Sequence, residues 1–321
     1  VGQKCDGCHQ AQASSHGSTG MAKALEPAES GRILAAHPKL TFTQGPYQYT
    51  VTREGTKSIY RVTDGKEEFT VPLGWAFGQG AAGQTYLFER NGAWYESRVS
   101  YYKDIDNLDL TVGARPDMPR SMEEAVGREM SKKGAAECFH CHSTGALSGG
   151  VLQTAALTPG VQCARCHEKA EEHAASFAKK GASVMPPSFK KATSEDMSDH
   201  CGQCHRTWAT IASNGPYNIT NVRFQPYRLA NSKCYDTADT RLRCTVCHDP
   251  HDEAEQPATF YDAKCRACHA ASGGKAGAKL CRVAKVGCAG CHMPKIFIPG
   301  THNSFTDHWI RIARKGQKPP V

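Results

Sequence analysis

The pentapeptide Cys-x-x-Cys-His occurs seven times in this chain of 321 residues. The copies run from Cys5 through Cys8 to His9, Cys138 through Cys141 to His142, Cys163 through Cys166 to His167, and Cys201 through Cys204 to His205. Three more run from Cys244 through Cys247 to His248, Cys265 through Cys268 to His269, and Cys288 through Cys291 to His292. Two cysteines so spaced can reach two vinyl groups of one porphyrin as thioethers, while the next residue swings its imidazole beneath the ring onto the iron. The pattern predicts seven covalently attached haem c groups, with those seven histidines as proximal ligands. A zinc reading would need the cysteine pairs to combine into tetrahedral sets, and would not need a His fixed after every second cysteine. A disulfide inside each motif would leave seven histidines without purpose.

That cofactor load limits the fold. Sharing 321 residues among seven haems leaves about 46 each, so macrocycles must form much of the apolar interior that side chains would otherwise supply. A mean hydropathy of -0.53 fits, as do 30 glycines and 17 prolines, because loops that wrap cofactors need turns more than long regular elements. The expected class is α+β with little regular structure: a haem-packed, loop- and short-helix-rich chain with an antiparallel β insert.

A formal charge of +8 would ordinarily suggest nucleic acid or an anionic membrane as partner. Each haem with ionised propionates carries a net negative charge, so seven bring the total to about +1 oxidised and about -6 reduced. The basic balance is read as propionate neutralisation, and with no arginine-rich tail or recognisable motif no nucleic-acid partner is expected. No stretch approaches the roughly eighteen apolar residues of a membrane span. Haem c is attached outside the bacterial cytoplasmic membrane, and the first motif opens at Cys5 with no secretory signal before it. The expectation is a secreted chain, periplasmic or extracellular, whose signal peptide has been removed. The two cysteines outside the motifs, Cys234 and Cys281, are disulfide candidates in such a compartment, or else two unrelated buried thiols.

One motif stands at the start, 128 residues separate His9 from Cys138, and six motifs fill the rest. The gap alternates apolar and polar residues from about Thr41 to Val112, as in Tyr47 to Val51 and Ser58 to Val62, with Asp64-Gly65 and Asn91-Gly92 as turns. Residues 1–40 are read as an N-terminal haem segment, 41–115 as a β-rich insert and 116–321 as a six-haem region. Helices are expected from Ser121 to Lys133 and from Glu168 to Lys180. The later motif starts differ by 25, 38, 43, 21 and 23 residues, so no fixed-length repeat exists.

The sixth position of each iron separates a carrier from an enzyme, since a second His saturates the iron and an empty position can bind substrate. Fifteen histidines less the seven proximal ones leave eight candidates. His16, His37, His173, His200, His251, His302 and His308 are the distal candidates. His140 is weaker, because it sits inside its own motif and cannot cross its own porphyrin. It serves a neighbouring haem or is spare. Met21 is a weaker competitor near the first haem, with an ordinary apolar contact as its alternative.

Several segments together resemble the multihaem cytochrome c family related to the small tetrahaem cytochrome of ammonia oxidisers, many members of which are fused to tetratricopeptide repeats. They are Cys163 to His173, Cys244 to His251, Cys288 to Lys295, and Phe305 to Arg311, with Gly78 to Phe88 looking like that family's β insert. The resemblance implies bis-His haems in close-packed pairs, with His173, His251 and His308 among the distal ligands, and places Cys234 and Cys281 at positions like the family's extra cysteines. His16 falls where relatives usually have Trp, and Met21 where some have a ligand His, which puts the first haem's coordination in doubt.

The leading functional expectation is an electron carrier, not an enzyme, working between redox partner proteins or an extracellular acceptor. A sharper form makes it a homopolymer, an extracellular filament with haem-to-haem contact between subunits. The alternative is a reductase of nitrite, hydroxylamine or a sulfur oxyanion at one five-coordinate haem, although no Cys-x-x-Cys-Lys is present. A third reading makes the β insert a docking module.

Overall fold

Alternating apolar and polar side chains build strands with one buried face, and much of the first half of this chain follows that rule. The computed structural model describes residues 5–178, 184–269, 281–314, 316–318 and 320. They fall into two compact units, Val1–Pro186 with Pro299–Asn303, and Pro187–Ile298 with Ser304–Val321.

In the first unit β1 (Leu25–Pro27) precedes a meander of β2 (Lys39–Gln44), β3 (Tyr47–Glu54), β4 (Lys57–Thr63) and β5 (Glu68–Pro72). A second antiparallel sheet follows, from β6 (Trp75–Gly80), β7 (Gly83–Arg90), β8 (Ala93–Tyr102), β9 (Asn107–Leu110) and β10 (Gly127–Glu129). Its order is β1-β6-β7-β8-β10, with β9 also paired to β8. Asn91 and Gly92 both take positive φ, 51° and 76°, in the two-residue turn that joins the paired Arg90 and Ala93, the geometry a tight hairpin requires. Tyr49, Val51 and Tyr60 from the meander share one core with Tyr86, Phe88 and Val99 from the second sheet. The antiparallel insert is therefore a two-sheet body with its own side-chain core.

The second sheet buries its other face too. Phe77 and Leu87 alternate with the core residues Ala76 and Tyr86, and form a separate apolar cluster with Phe139, flanked by Trp75 and Trp94. Phe139 lies on the helix Lys132–His142, which carries the second motif. The sheet thus seats that motif.

The single helix expected from Ser121 to Lys133 is broken. A short helix, Met122–Val126, gives way to β10, and the next helix starts at Lys132. Gly127 is the cause: at φ 145° it lies so close to β8 that a Cβ would stand 2.2 Å from the Glu96 carbonyl oxygen. The second expected helix is Ala170–Ala178, and residues 179 and 180 of the expectation lie outside the described residues.

The second unit is built of short helices. Ser194–His205 starts on a capping box in which Thr193 and Asp196 satisfy each other's backbone. Trp208–Asn214, Gln225–Ala230, Cys244–Cys247, Ala258–His269 and Cys288–His292 follow. Among the described residues its apolar cluster is small, Val222, Ile296 and Ile298 with Ile219 and Phe305. Trp208 and Ile312 are more than half exposed. So little side-chain core fits a unit whose interior is completed by large apolar groups.

Candidate haem-binding sites

A helical turn places residues i, i+3 and i+4 on one face, which is where two sulfurs and an imidazole must be to address one porphyrin. The described motifs adopt it. Cys5 to His9 closes with His9 N donating to the Cys5 carbonyl at 2.8 Å, and the same bond joins His167 to Cys163 and His248 to Cys244, each at 2.9 Å. The second, fourth and sixth motifs end the helices Lys132–His142, Ser194–His205 and Ala258–His269, and the seventh is the helix Cys288–His292.

A ligating His usually donates its far ring N–H to a backbone carbonyl or carboxylate, which fixes the tautomer and aims the other nitrogen. Among the proximal histidines, Nδ1 of His142 donates to the Ala24 carbonyl at 2.9 Å and Nδ1 of His292 to the Arg311 carbonyl at 2.9 Å. His205 Nδ1 donates to Gln225 Oε1 at 3.1 Å, and His248 Nδ1 lies 3.3 Å from the Tyr261 hydroxyl. Among the distal candidates, His173 donates Nδ1 to Val184 at 2.6 Å, His308 to Thr306 at 3.0 Å and His251 to the Asp249 carboxylate at 2.9 Å. All of these point Nε2 away from the anchoring partner.

Two proximal rings face distal candidates. The ring centroids of His9 and His173 are 6.4 Å apart, and those of His248 and His308 are 6.1 Å apart. With metal–imidazole bonds of about 2 Å, two rings across one iron have centroids about 6 Å apart. Burial, with His248 nearby, drives the His308 pKa down to about 4, so its ring is neutral and able to ligate. The fit of these residues to haem rests on those spacings.

The motifs also meet one another. The thiols of Cys5 and Cys163 are within hydrogen-bonding reach, as are those of Cys201 and Cys244, and those of Cys265 and Cys288. Each is the first cysteine of its motif. Among the described residues, no three His, Cys, Asp or Glu side chains gather as a metal-ion site.

Other candidates are placed differently. His37 places Nδ1 2.7 Å from the Ile33 carbonyl and Nε2 2.9 Å from the Asp106 carboxylate, so both ring nitrogens face protein partners. Tyr101 packs on the His37 ring and donates to the same carboxylate. His140 Nε2 accepts from the Arg165 guanidinium at 3.0 Å, which occupies the lone pair a metal would take. Burial and Arg165 together lower its pKa. His302 meets Asp109 through Nε2 at 2.8 Å and packs on Tyr102. His200 packs on Phe189 at 4.6 Å.

His16 reverses the common arrangement. Its Nε2 donates to the Val161 carbonyl at 2.8 Å, and its buried Nδ1 has no partner among the described residues. Met21 is half-buried, and its carbonyl accepts from Val161 N. The chain closes tightly here, for Gly160 at φ 76° leaves only 1.8 Å between a Cβ and the Ala22 carbonyl oxygen. Cys234 and Cys281 are each exposed, free thiols, so the pairing expected between them is not formed in this structure.

The sequence reading missed the residues that hold ligands from a distance. Asp262, three residues before Cys265, accepts from Gly287 N at 2.7 Å and Cys288 N at 2.8 Å, and these bonds lower its pKa. It thereby caps the seventh motif's helix from the sixth motif's helix. Gln225 and Arg228 were missed for the same reason, since no local pattern marks a polar side chain whose partner lies far along the chain.

Residues 100–168, which contain the second and third motifs, match the family model described as cytochrome c554 and c-prime. No curated protein matches the chain. The fold is similar to that in the crystal structure of the outer cell wall cytochrome OcwA, with a TM-score of 0.57 at 14% identity, over 96% of this chain and 78% of that one. The repeated motifs, the matched family model over residues 100–168 and the shared fold agree in making the chain similar to multihaem c-type cytochromes.

Proposed function

We propose that the chain carries seven haem c groups, most with two axial histidines, and conducts electrons along them without transforming a substrate. The observation that carries this reading is the pair of imidazole spacings, 6.4 Å for His9 with His173 and 6.1 Å for His248 with His308. Haem iron supplies the one-electron ferric–ferrous couple, and two imidazoles leave it no place for a substrate. The chain's part is to anchor the Nδ1 side of each ligand, to exclude water and to hold the groups close. Contacts between the first cysteines of motifs one and three, four and five, and six and seven support close haem pairs.

An extracellular place of work is supported by the structural relative, whose name makes it an outer cell wall cytochrome, and among the described residues no helix is long and apolar enough to cross a membrane. The acceptor is then a redox partner protein or an extracellular oxidant, and assembly into a filament would extend the path from one chain to the next. The test is potentiometric titration followed by EPR: several low-spin ferric signals that reduce over a range of potentials support the carrier. Predominantly high-spin iron contradicts it. Micrographs and light scattering check the filament, which a strictly monomeric protein rules out.

A second reading is favoured by His37, both of whose ring nitrogens face protein partners, and by His140, whose Nε2 accepts from Arg165. Six of the eight remaining histidines are then left for seven irons. One iron would be open to a small oxyanion or hydroxylamine, or be capped by a neighbouring chain. A stoichiometric high-spin EPR signal that disappears on adding nitrite supports the reductase.

A further inference from the structure

The segment that follows the seventh motif supplies the acidic half of a buried ion pair. Arg228, 1% exposed, grips the fully buried Asp307 through two bonds, Nε to Oδ1 and Nη2 to Oδ2, both 2.8 Å. Asp307 also accepts from Arg311 Nη1 at 2.5 Å and from Trp309 N at 3.0 Å. Both guanidinium groups lie over the Trp309 ring, at 5.1 and 5.7 Å. A charge pair this deep is a costly device for stability alone, since burying it forfeits hydration that apolar residues would not lose.

What the carboxylate organises is a ligand on either side of it. Its immediate neighbour is His308, which faces His248 at 6.1 Å. Four residues on, the Arg311 carbonyl accepts from Nδ1 of His292 at 2.9 Å, and Arg311 N returns a bond to the His292 carbonyl at 3.1 Å. Asp307 N itself donates to Pro294, two residues after His292. Arg228 sits on the helix Gln225–Ala230, whose first residue holds His205 Nδ1 at 3.1 Å.

We propose that Asp307 is a positioning residue shared by two haems: it fixes the distal imidazole of the haem at His248 and, through Arg311, the proximal imidazole of the haem at His292. This inference rests on the haem reading above. Gripped by Arg228, the carboxylate sets the turn from His308 to Arg311, and its negative charge favours ferric iron on both sides. The two centres therefore respond together to one side chain, through a contiguous set of hydrogen bonds.

The experiment compares Asp307→Asn and Gln225→Leu with the unaltered holoprotein by redox titration under EPR, with haem content counted by pyridine haemochrome. Asp307→Asn is expected to move two low-spin centres, both to higher potential, with the other five unchanged. Gln225→Leu is expected to move one, the haem at His205. If Asp307→Asn fails to mature, Arg311→Met, which removes one bond to the carboxylate, is expected to move the same two centres by less. A shift in one centre only, in none, or equally in all seven overturns the proposal. A haemochrome count other than seven in the unaltered protein overturns the haem reading instead.

Discussion

His9 and His173 stand far apart in the sequence yet hold their rings 6.4 Å apart, with Nδ1 of His173 tied to the Val184 carbonyl at 2.6 Å. One ring belongs to a Cys-x-x-Cys-His motif, the other to the helix Ala170–Ala178 that follows a different motif. Axial ligation of the proposed kind would make the haem at His9 a staple between distant segments. Folding and haem attachment are then one process.

Removal of the distal ring should open one iron at a time. His173→Ala is expected to convert the haem at His9 from low spin to high spin without changing haem content, and His308→Ala to do the same at His248. EPR and the visible spectrum of the oxidised protein read both effects. Unchanged spectra in both variants would mean that neither pair brackets an iron.

Histidines held at the wrong nitrogen should be silent. His140→Gln and His37→Gln are expected to leave the number of low-spin centres unaltered, because Arg165 and the Ile33–Asp106 pair already hold those rings. His16→Gln is expected to lose one low-spin centre, through the ring nitrogen Nδ1 that is buried without a partner among the described residues. The contrast between the three variants, measured by the same EPR spectrum, checks the assignment.

The cofactor and much of the β insert were legible in the sequence because both depend on local pattern: a five-residue spacing for haem, a two-residue alternation for Tyr47 to Val51 and Ser58 to Val62. Turn chemistry placed Asn91 and Gly92. The helix over Ser121 to Lys133 misled because its periodicity is real on either side of Gly127, while the close approach of that glycine to Glu96 is a tertiary fact. Counting eight spare histidines could not reveal that Asp106 takes one and Arg165 another, since hydrogen-bond partners 69 and 25 residues away leave no local trace. Arg228 and Asp307, 79 residues apart, were equally invisible.

The seat of the second motif should be sensitive to volume. Phe139 is fully buried and meets Phe77 at 5.1 Å, Trp94 at 5.3 Å and Trp75 at 5.6 Å. Phe139→Ala is expected to cost about 3–5 kcal/mol, and Phe139→Leu much less. Urea titration of the holoprotein, followed by tryptophan fluorescence, measures both.

Acid should loosen the second unit before the first. Burial depresses the pKa of His308 to about 4 and lowers those of His205 and His248. For such a group the unfolded chain binds the proton first, so stability is fully present above the unfolded value of about 6.5 and is lost as pH falls through the folded value. Ligation to iron would likewise hold the His308 ring neutral, so stability falls as acid protonates the released ring below about pH 6.5. Denaturation midpoints measured down that range should fall, and a His308→Met variant should fall less.

The central claim is the number of covalent haems on one chain, and the pyridine haemochrome spectrum of denatured holoprotein, set against protein concentration by amino-acid analysis, measures it directly. Seven haems per chain, all retained after extraction with acidified acetone, is the predicted result. Fewer than seven at full occupancy, or haem that the solvent removes, contradicts it.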